Sequence, residues 1–236
     1  MYHHVNSNRC SNDLAIFEEH LKYIKQNFTT ILPGEEIKSR CVCLTFDDAY
    51  ADFYFLIYPL LKKYNLKALL AVPSKYILNE CENEAQNRMG FEHNDLFANF
   101  AQGTFCTFKE LKEMLDSGLV QIGSHSHSHI DLTASGVDLE VELKHSKELL
   151  ENKLDTVVES FVFPFGKYNQ EVLKHTKKYY KYSFRIGNAL HKDFSGINGV
   201  IYRVDGDGLK TIDEIFGFKK LLNYKFKGFI KRLGNK

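Results

Sequence analysis

Apolar side chains recur at three- and four-residue steps over residues 13–28, where Leu14, Phe17, Leu21, Ile24 and Phe28 fall into line. That period predicts a helix with one buried face, started by Asn12 or Asp13, whose short polar side chains suit a helix cap. The pattern then changes. After a PGEE turn the run CVCLTF, residues 41–46, reads as a fully buried strand. Residues 53–66 predict a helix that Pro59 must kink or restart, and residues 67–73, KALLAVP, predict a second apolar strand. The unit repeats: a helix at 107–118 closed by Gly118, a strand at 119–125, an amphipathic helix at 135–152, a strand at 160–166 and a helix at 169–180. Short strands at 181–186 and 199–204 follow, and residues 211–236 form a helical extension.

Strands alternating with helices predict an α/β fold with a parallel sheet, either open and doubly wound or closed into a barrel. Both architectures place ligand chemistry at the carboxyl ends of the strands. A chain of 236 residues with 44% hydrophobic content, no dividing linker and no internal repeat predicts one domain. Residues 79–106 fit neither the helix nor the strand period. An unpatterned segment of that length inside a compact domain suggests an inserted loop acting as a lid or substrate wall.

Composition narrows the function. Lys and Arg number 31 against 30 Asp and Glu, a net charge of +1 that offers no field for nucleic acid. The first residues, MYHHVNSNRC, lack the basic start and apolar core of a secretory signal, and no run of about 18 apolar residues occurs; a cytoplasmic protein is expected. Five cysteines, with Cys41 and Cys43 one residue apart, fit reduced packing residues better than a metal knuckle or redox pair. From Lys219 to Lys236 there are seven basic residues and no acid, interleaved with Leu, Tyr, Phe and Ile. That stretch is either a solvated helix or an element making weak contact with an anionic membrane surface. Oligomeric state is not legible.

Two stretches carry chemistry. In CLTFDDAYADF, residues 43–53, the neighbouring carboxylates Asp47 and Asp48 follow an apolar strand, an arrangement that needs a cation or a shared proton. In IGSHSHSHIDL, His125, His127 and His129 follow another strand. Two histidines spaced i, i+4 and one carboxylate from a different strand make a three-ligand site of the kind catalytic zinc uses, with a position left open. Both motifs close strands of the same repeating unit, which puts them on one rim of a parallel sheet.

LTFDDAY, IGSHSHSH and FVFPFGKYN, in this order and spacing, resemble the polysaccharide deacetylases, the chitooligosaccharide deacetylase homology group or carbohydrate esterase family 4, over residues 1–205. The resemblance implies a deformed, TIM-barrel-like (β/α)7 barrel and a metal-dependent N-deacetylase acting on amino-sugar residues of a polysaccharide or glycan precursor. It implies Asp47 as catalytic base, and Asp48, His125 and His129 as ligands of a divalent ion, expected to be Zn2+. It assigns Pro164, Phe165 and Gly166 to the substrate and oxyanion loop, with the Phe165 backbone N–H on the oxyanion. Many members carry an Arg before the Pro-aromatic pair, where this chain has Val162 and Phe163; Arg203 resembles the Arg of a related branch and is the candidate partner of Asp47. The family's late Leu-x-His motif is absent, but MYHHV resembles the amino-terminal Tyr-His-x-Val element of a permuted branch, which makes His3 the general acid. A strand alternates its faces, so His3 and His4 cannot both look into the site. Two rival readings are the same chemistry on a small non-carbohydrate amide, and a catalytically silent sugar-binding protein.

Overall fold

The computed structural model describes residues 1–38 and 40–233. Six strands form one parallel sheet: β1 Leu44–Phe46, β2 Ala68–Val72, β3 Val120–Ser124, β4 Ser160–Val162, β5 Tyr182–Ile186 and β6 Ile201–Arg203, in sequential order. Tyr2 supplies the seventh place. It pairs with Phe46 in parallel, its N–H donating to the Thr45 carbonyl at 2.9 Å while its own carbonyl accepts from Asp47 N at 3.0 Å. On the other side the Met1 nitrogen donates to the Val204 carbonyl at 2.6 Å and Gly206 N donates to the Met1 carbonyl at 2.9 Å. The amino-terminal segment thus bridges β1 and β6, and the sheet curls into the deformed seven-place barrel.

Helices cover the outside. In α1, Leu14–Asn27, Phe17, Leu21 and Ile24 are buried as the period predicts, and Asp13 is the cap, accepting from Ala15 N and Ile16 N. Pro59 lies in the first turn of α2, Tyr58–Tyr64, where its missing N–H costs nothing; a wider turn at Phe53–Ile57 leads into it. In α3, Phe108–Asp116, Thr107 and Glu110 form a reciprocal capping box. The helix expected from residue 135 starts only around Glu140, because Asp138 caps it there and Gly136 holds a left-handed turn; it continues as α4, Ser146–Leu154. Next comes α5, Gln170–Tyr179. The carboxyl-terminal helix is interrupted at Gly217, whose extended backbone separates Asp213–Phe216 from α6, Phe218–Leu233.

The run CVCLTF splits. Cys41–Val42 pairs with Thr29–Thr30 in a separate two-stranded sheet, and only Leu44–Phe46 enters the main sheet. The main core lies between helices and strands, while a smaller one of Leu69, Ala71, Val162, Tyr182, Phe184 and Ile201 fills the barrel. Residues 79–106 pack as short turns. Buried Arg88 ties them down by donating to the Gly103 and Phe105 carbonyls and to both oxygens of Glu110. Among the described residues no helix is long and apolar enough to cross a membrane.

Candidate active site

The carboxyl ends of β1, β3, β4 and β6 converge with the amino-terminal segment on one rim. Asp47 and Asp48 leave β1 in a sharp turn in which Asp48 and Ala49 have φ of 70° and 55°. Ser126, His129 and Phe165 are likewise left-handed, at 66°, 51° and 56°. Five non-glycine residues in this region of backbone space at one site is strain that the surrounding packing must hold, a pattern typical of functional loops.

Asp48 Oδ1 lies 3.1 Å from His129 Nε2 and 3.5 Å from His125 Nε2. The three donor atoms fall within 4.8 Å of one another. His125 is buried, and its Nδ1 bonds the Val162 carbonyl at 2.7 Å, which leaves Nε2 with the lone pair facing Asp48. Burial pushes the His125 ring down to about 4, so it is neutral at pH 7, as a ligand must be. Asp48 Oδ1 is buried with no hydrogen-bond partner among the described residues. An orphaned carboxylate oxygen facing two imidazole nitrogens fits a divalent ion, and the N2O donor set suits zinc-like ions.

Asp47 faces Arg203. Nη1 of Arg203 donates to Asp47 Oδ1 at 2.5 Å and to Thr45 Oγ1 at 3.1 Å, and Nη2 donates to Asp47 Oδ2 at 2.7 Å. Burial alone would raise the Asp47 carboxyl, but the guanidinium outweighs it and holds the group ionised well below the usual carboxylate range.

His3 approaches from the closing segment, with Nε2 3.9 Å from Asp47 Oδ2 and Nδ1 2.5 Å from Asp207 Oδ2. Asp207 Oδ1 also accepts the His3 backbone N–H. Burial favours the neutral ring, yet the Asp207 bond and the Asp47 and Asp48 carboxylates prevail and raise His3 to about 9. His4 turns the other way, stacked on Tyr50 at 3.9 Å with Nδ1 3.2 Å from Asp52 Oδ2. His127 also leaves the site. Its Nδ1 bonds Ser74 Oγ, and the N–H groups of His127 and Ser128 donate to the buried Glu142 carboxylate, which fixes the loop carrying His125 and His129.

Pro164–Gly166 forms one tight turn after β4. The turn's own hydrogen bonds begin with Gly166 N to the Phe163 carbonyl, so the Phe165 N–H is not used by the turn. The Phe165 ring is exposed, 4.8 Å from the His129 ring, and Phe97 also stacks on His129 at 4.8 Å and 18°.

Sequence reasoning missed Asp207, Glu142 and Phe97. Asp207 had a weak signal, an acid between two glycines directly after β6. Phe97, inside an unpatterned segment, had none.

Residues 34–182 match the family model described as polysaccharide deacetylase. YxkH of Bacillus subtilis (strain 168), named as a polysaccharide deacetylase, is 30% identical over 193 residues, covering 75% of this chain and 60% of that protein. The poly-beta-1,6-N-acetyl-D-glucosamine N-deacetylase of Escherichia coli (strain K12) is 25% identical over 173 residues, 61% of this chain and 25% of that protein. The chain therefore spans less than two thirds of the length of these curated relatives. Among solved structures, the Streptococcus pyogenes deacetylase PplD in complex with acetate shares the fold with a TM-score of 0.71 at 23% identity, over 94% of both chains. With its family motifs converging on one rim of the barrel, the chain belongs to the polysaccharide deacetylase family.

Proposed function

We propose that this chain is a metal-dependent hydrolase that removes N-acetyl groups from amino-sugar residues of a polysaccharide or glycan precursor. One observation carries the reading: a buried carboxylate held ionised by Arg203 stands next to a second carboxylate that shares an orphaned oxygen with two imidazoles. A sugar-binding protein without activity has no use for that repulsive pair. The name of the Escherichia coli relative supports a polymer of N-acetylglucosamine as the substrate class.

In this reading Asp48, His125 and His129 hold the ion, with Zn2+ the best match to the donors. When bound, the ion supplies Lewis-acid polarisation of the acetamide oxygen and makes water easier to deprotonate. Asp47 takes the proton from the attacking water, and Arg203 keeps its carboxylate ionised and aimed. The Phe165 N–H donates to the carbonyl oxygen as negative charge develops on it. His3, kept protonated by Asp207, hands a proton to the leaving amine, and the acetate departs. Phe97 and Phe165, both against the His129 ring, wall the entrance, and the segment 79–106 serves as substrate wall. The deciding experiment is acetate release from a panel of N-acetylated glycans, with N-acetylated small amides as the contrast, before and after metal removal. Release only from small amides, or from neither with zinc restored, overturns the reading.

We also infer that α6 rests on an anionic lipid surface. Phe218, Leu222, Phe226, Phe229, Ile230 and Leu233 are all exposed and, at 100° per residue, fall in a stripe about 120° wide. Six lysines and arginines share the helix and it holds no acid. An apolar stripe set among cations matches an interfacial helix on anionic lipid.

A further inference from the structure

Cys10 belongs to none of this chemistry, yet it sits against it. It lies in the short loop between His4–Val5 and Ser11–Asn12, which pair in parallel. Its backbone is left-handed, with φ of 48°, and its carbonyl accepts the His4 N–H at 3.1 Å. That bond anchors the loop to the segment that carries His3. The Cys10 sulfur, a ring nitrogen of His3 and a carboxylate oxygen of Asp207 all lie within 4.8 Å of one another. The three residues are each half-buried, so an ion from solvent can reach them.

We propose that His3, Cys10 and Asp207 form a second divalent-metal site, selective for zinc-like ions, whose occupation switches the deacetylase off. The donor set is thiolate, imidazole and carboxylate, a combination that zinc and cobalt accept and that magnesium and calcium do not. It differs from the Asp48, His125 and His129 set by its sulfur, which gives it a distinct optical and chemical signature.

The inhibitory consequence rests on His3 acting as the acid, and it does not depend on which ring nitrogen binds. Binding displaces the thiol proton of Cys10 and one proton of the His3 imidazolium, and a carboxylate oxygen of Asp207 joins the ion. A ring with one nitrogen on a metal is no longer an imidazolium. The remaining N–H is far too weak an acid to protonate a departing amine. One ion on Asp48, His125 and His129 therefore activates, and a second ion at Cys10 inhibits.

The test is a titration of the metal-free protein with Zn2+, followed by acetate release, and with Co2+, followed by near-ultraviolet absorption. The expected result is a rise in activity over the first equivalent and a fall above it. In the cobalt series a thiolate-to-metal band grows only with the second equivalent. Cys10→Ser should keep wild-type activity at one equivalent, lose the band and shift the inhibitory phase at least about tenfold to higher zinc, the scale of losing a group that supports a metal. The wild-type protein gives an independent reading, since zinc beyond one equivalent should protect Cys10 from alkylation, followed by peptide mass spectrometry. Mg2+ should do neither. A band that survives in Cys10→Ser, or alkylation of Cys10 unaffected by zinc, overturns the site. A band and protection without loss of activity overturn the inhibition and place the fault in the assignment of His3 as acid, while activity absent at every zinc level places it in the deacetylase reading itself.

Discussion

Arg203 grips Asp47 with two parallel hydrogen bonds, 2.5 and 2.7 Å long, between buried partners that lie 156 residues apart in sequence. A guanidinium presents two donors in one plane and an ammonium presents a point charge, so the pair is not interchangeable with Lys–Asp. Arg203→Lys is expected to lower kcat about tenfold or more with metal content unchanged. Arg203→Met is expected to do worse, and to move the acid limb of the pH profile upward. The sign follows from the shift: Asp47 is depressed by the guanidinium, so without it the buried carboxyl takes up a proton at a higher pH and the base is lost there first. An acid limb that stays in place in Arg203→Met would remove Arg203 from this role.

The proposed base and the proposed ligand set should separate cleanly. Asp47→Asn is expected to retain metal and fold while losing at least about two orders of magnitude in turnover. His129→Ala is expected to lose the ion itself, read by elemental analysis of the purified protein. If His129→Ala keeps full occupancy, the ligand set is wrong.

His3 is raised to about 9 despite its burial, so it is protonated at neutral pH and gives up its proton as pH climbs through that value. Activity should fall along an alkaline limb there, and His3→Ala should abolish the limb. An ester analogue needs less help from an acid than an amide, so the variant should be impaired more on amides. His4, bonded to Asp52 and stacked on Tyr50, should tolerate replacement with far less loss of activity. Equal loss on ester and amide would end the case for His3 as acid.

Phe97 reaches the site from within residues 79–106 and stacks on His129. Phe97→Ala is expected to raise KM for an oligomeric substrate severalfold and to leave metal content intact, the signature of a lost contact with bound sugar. An unchanged KM would leave the segment with a packing role only.

For α6, vesicles containing phosphatidylserine should sediment the protein, and neutral phosphatidylcholine vesicles should not. Replacing both Phe226 and Phe229 by Ser removes two exposed rings, each worth about 1.5–3 kcal/mol when buried, so partitioning should fall at least about tenfold. Deacetylation of a soluble oligosaccharide should not change. Equal binding to neutral vesicles, or no binding to either, would return α6 to the status of a solvated helix.

What the sequence disclosed follows from the range over which each signal acts. The period of α1 and the apolar runs of β2 and β3 are local, and they reappear with small boundary changes. Where the boundaries moved, a local competitor decided: Asp138 capped its helix late, and Gly217 broke another. The carboxylates and histidines stood out because polar residues closing buried strands are costly without a partner. Asp207 did not, because its importance comes only from meeting His3 across 204 residues of chain. Phe97 and Glu142 likewise take their roles only from contacts made in the fold, over shorter stretches of chain.

Closure of the barrel carries a consequence for folding. Asp47, Asp48, His125 and His129 follow strands joined by successive local crossovers, which can assemble in sequence, whereas residues 1–5 must find a slot between β1 and β6 and so make the longest-range pairing in the sheet. Pairings of that kind pay their loop-closure entropy late. His3 rides on that segment, so the proposed acid is installed by the same event that completes the sheet. On the proposed roles, a chain with residues 1–5 undocked would hold its ion and its base and still be inert: metal content would report the assembled strands, and turnover would report the closed ring.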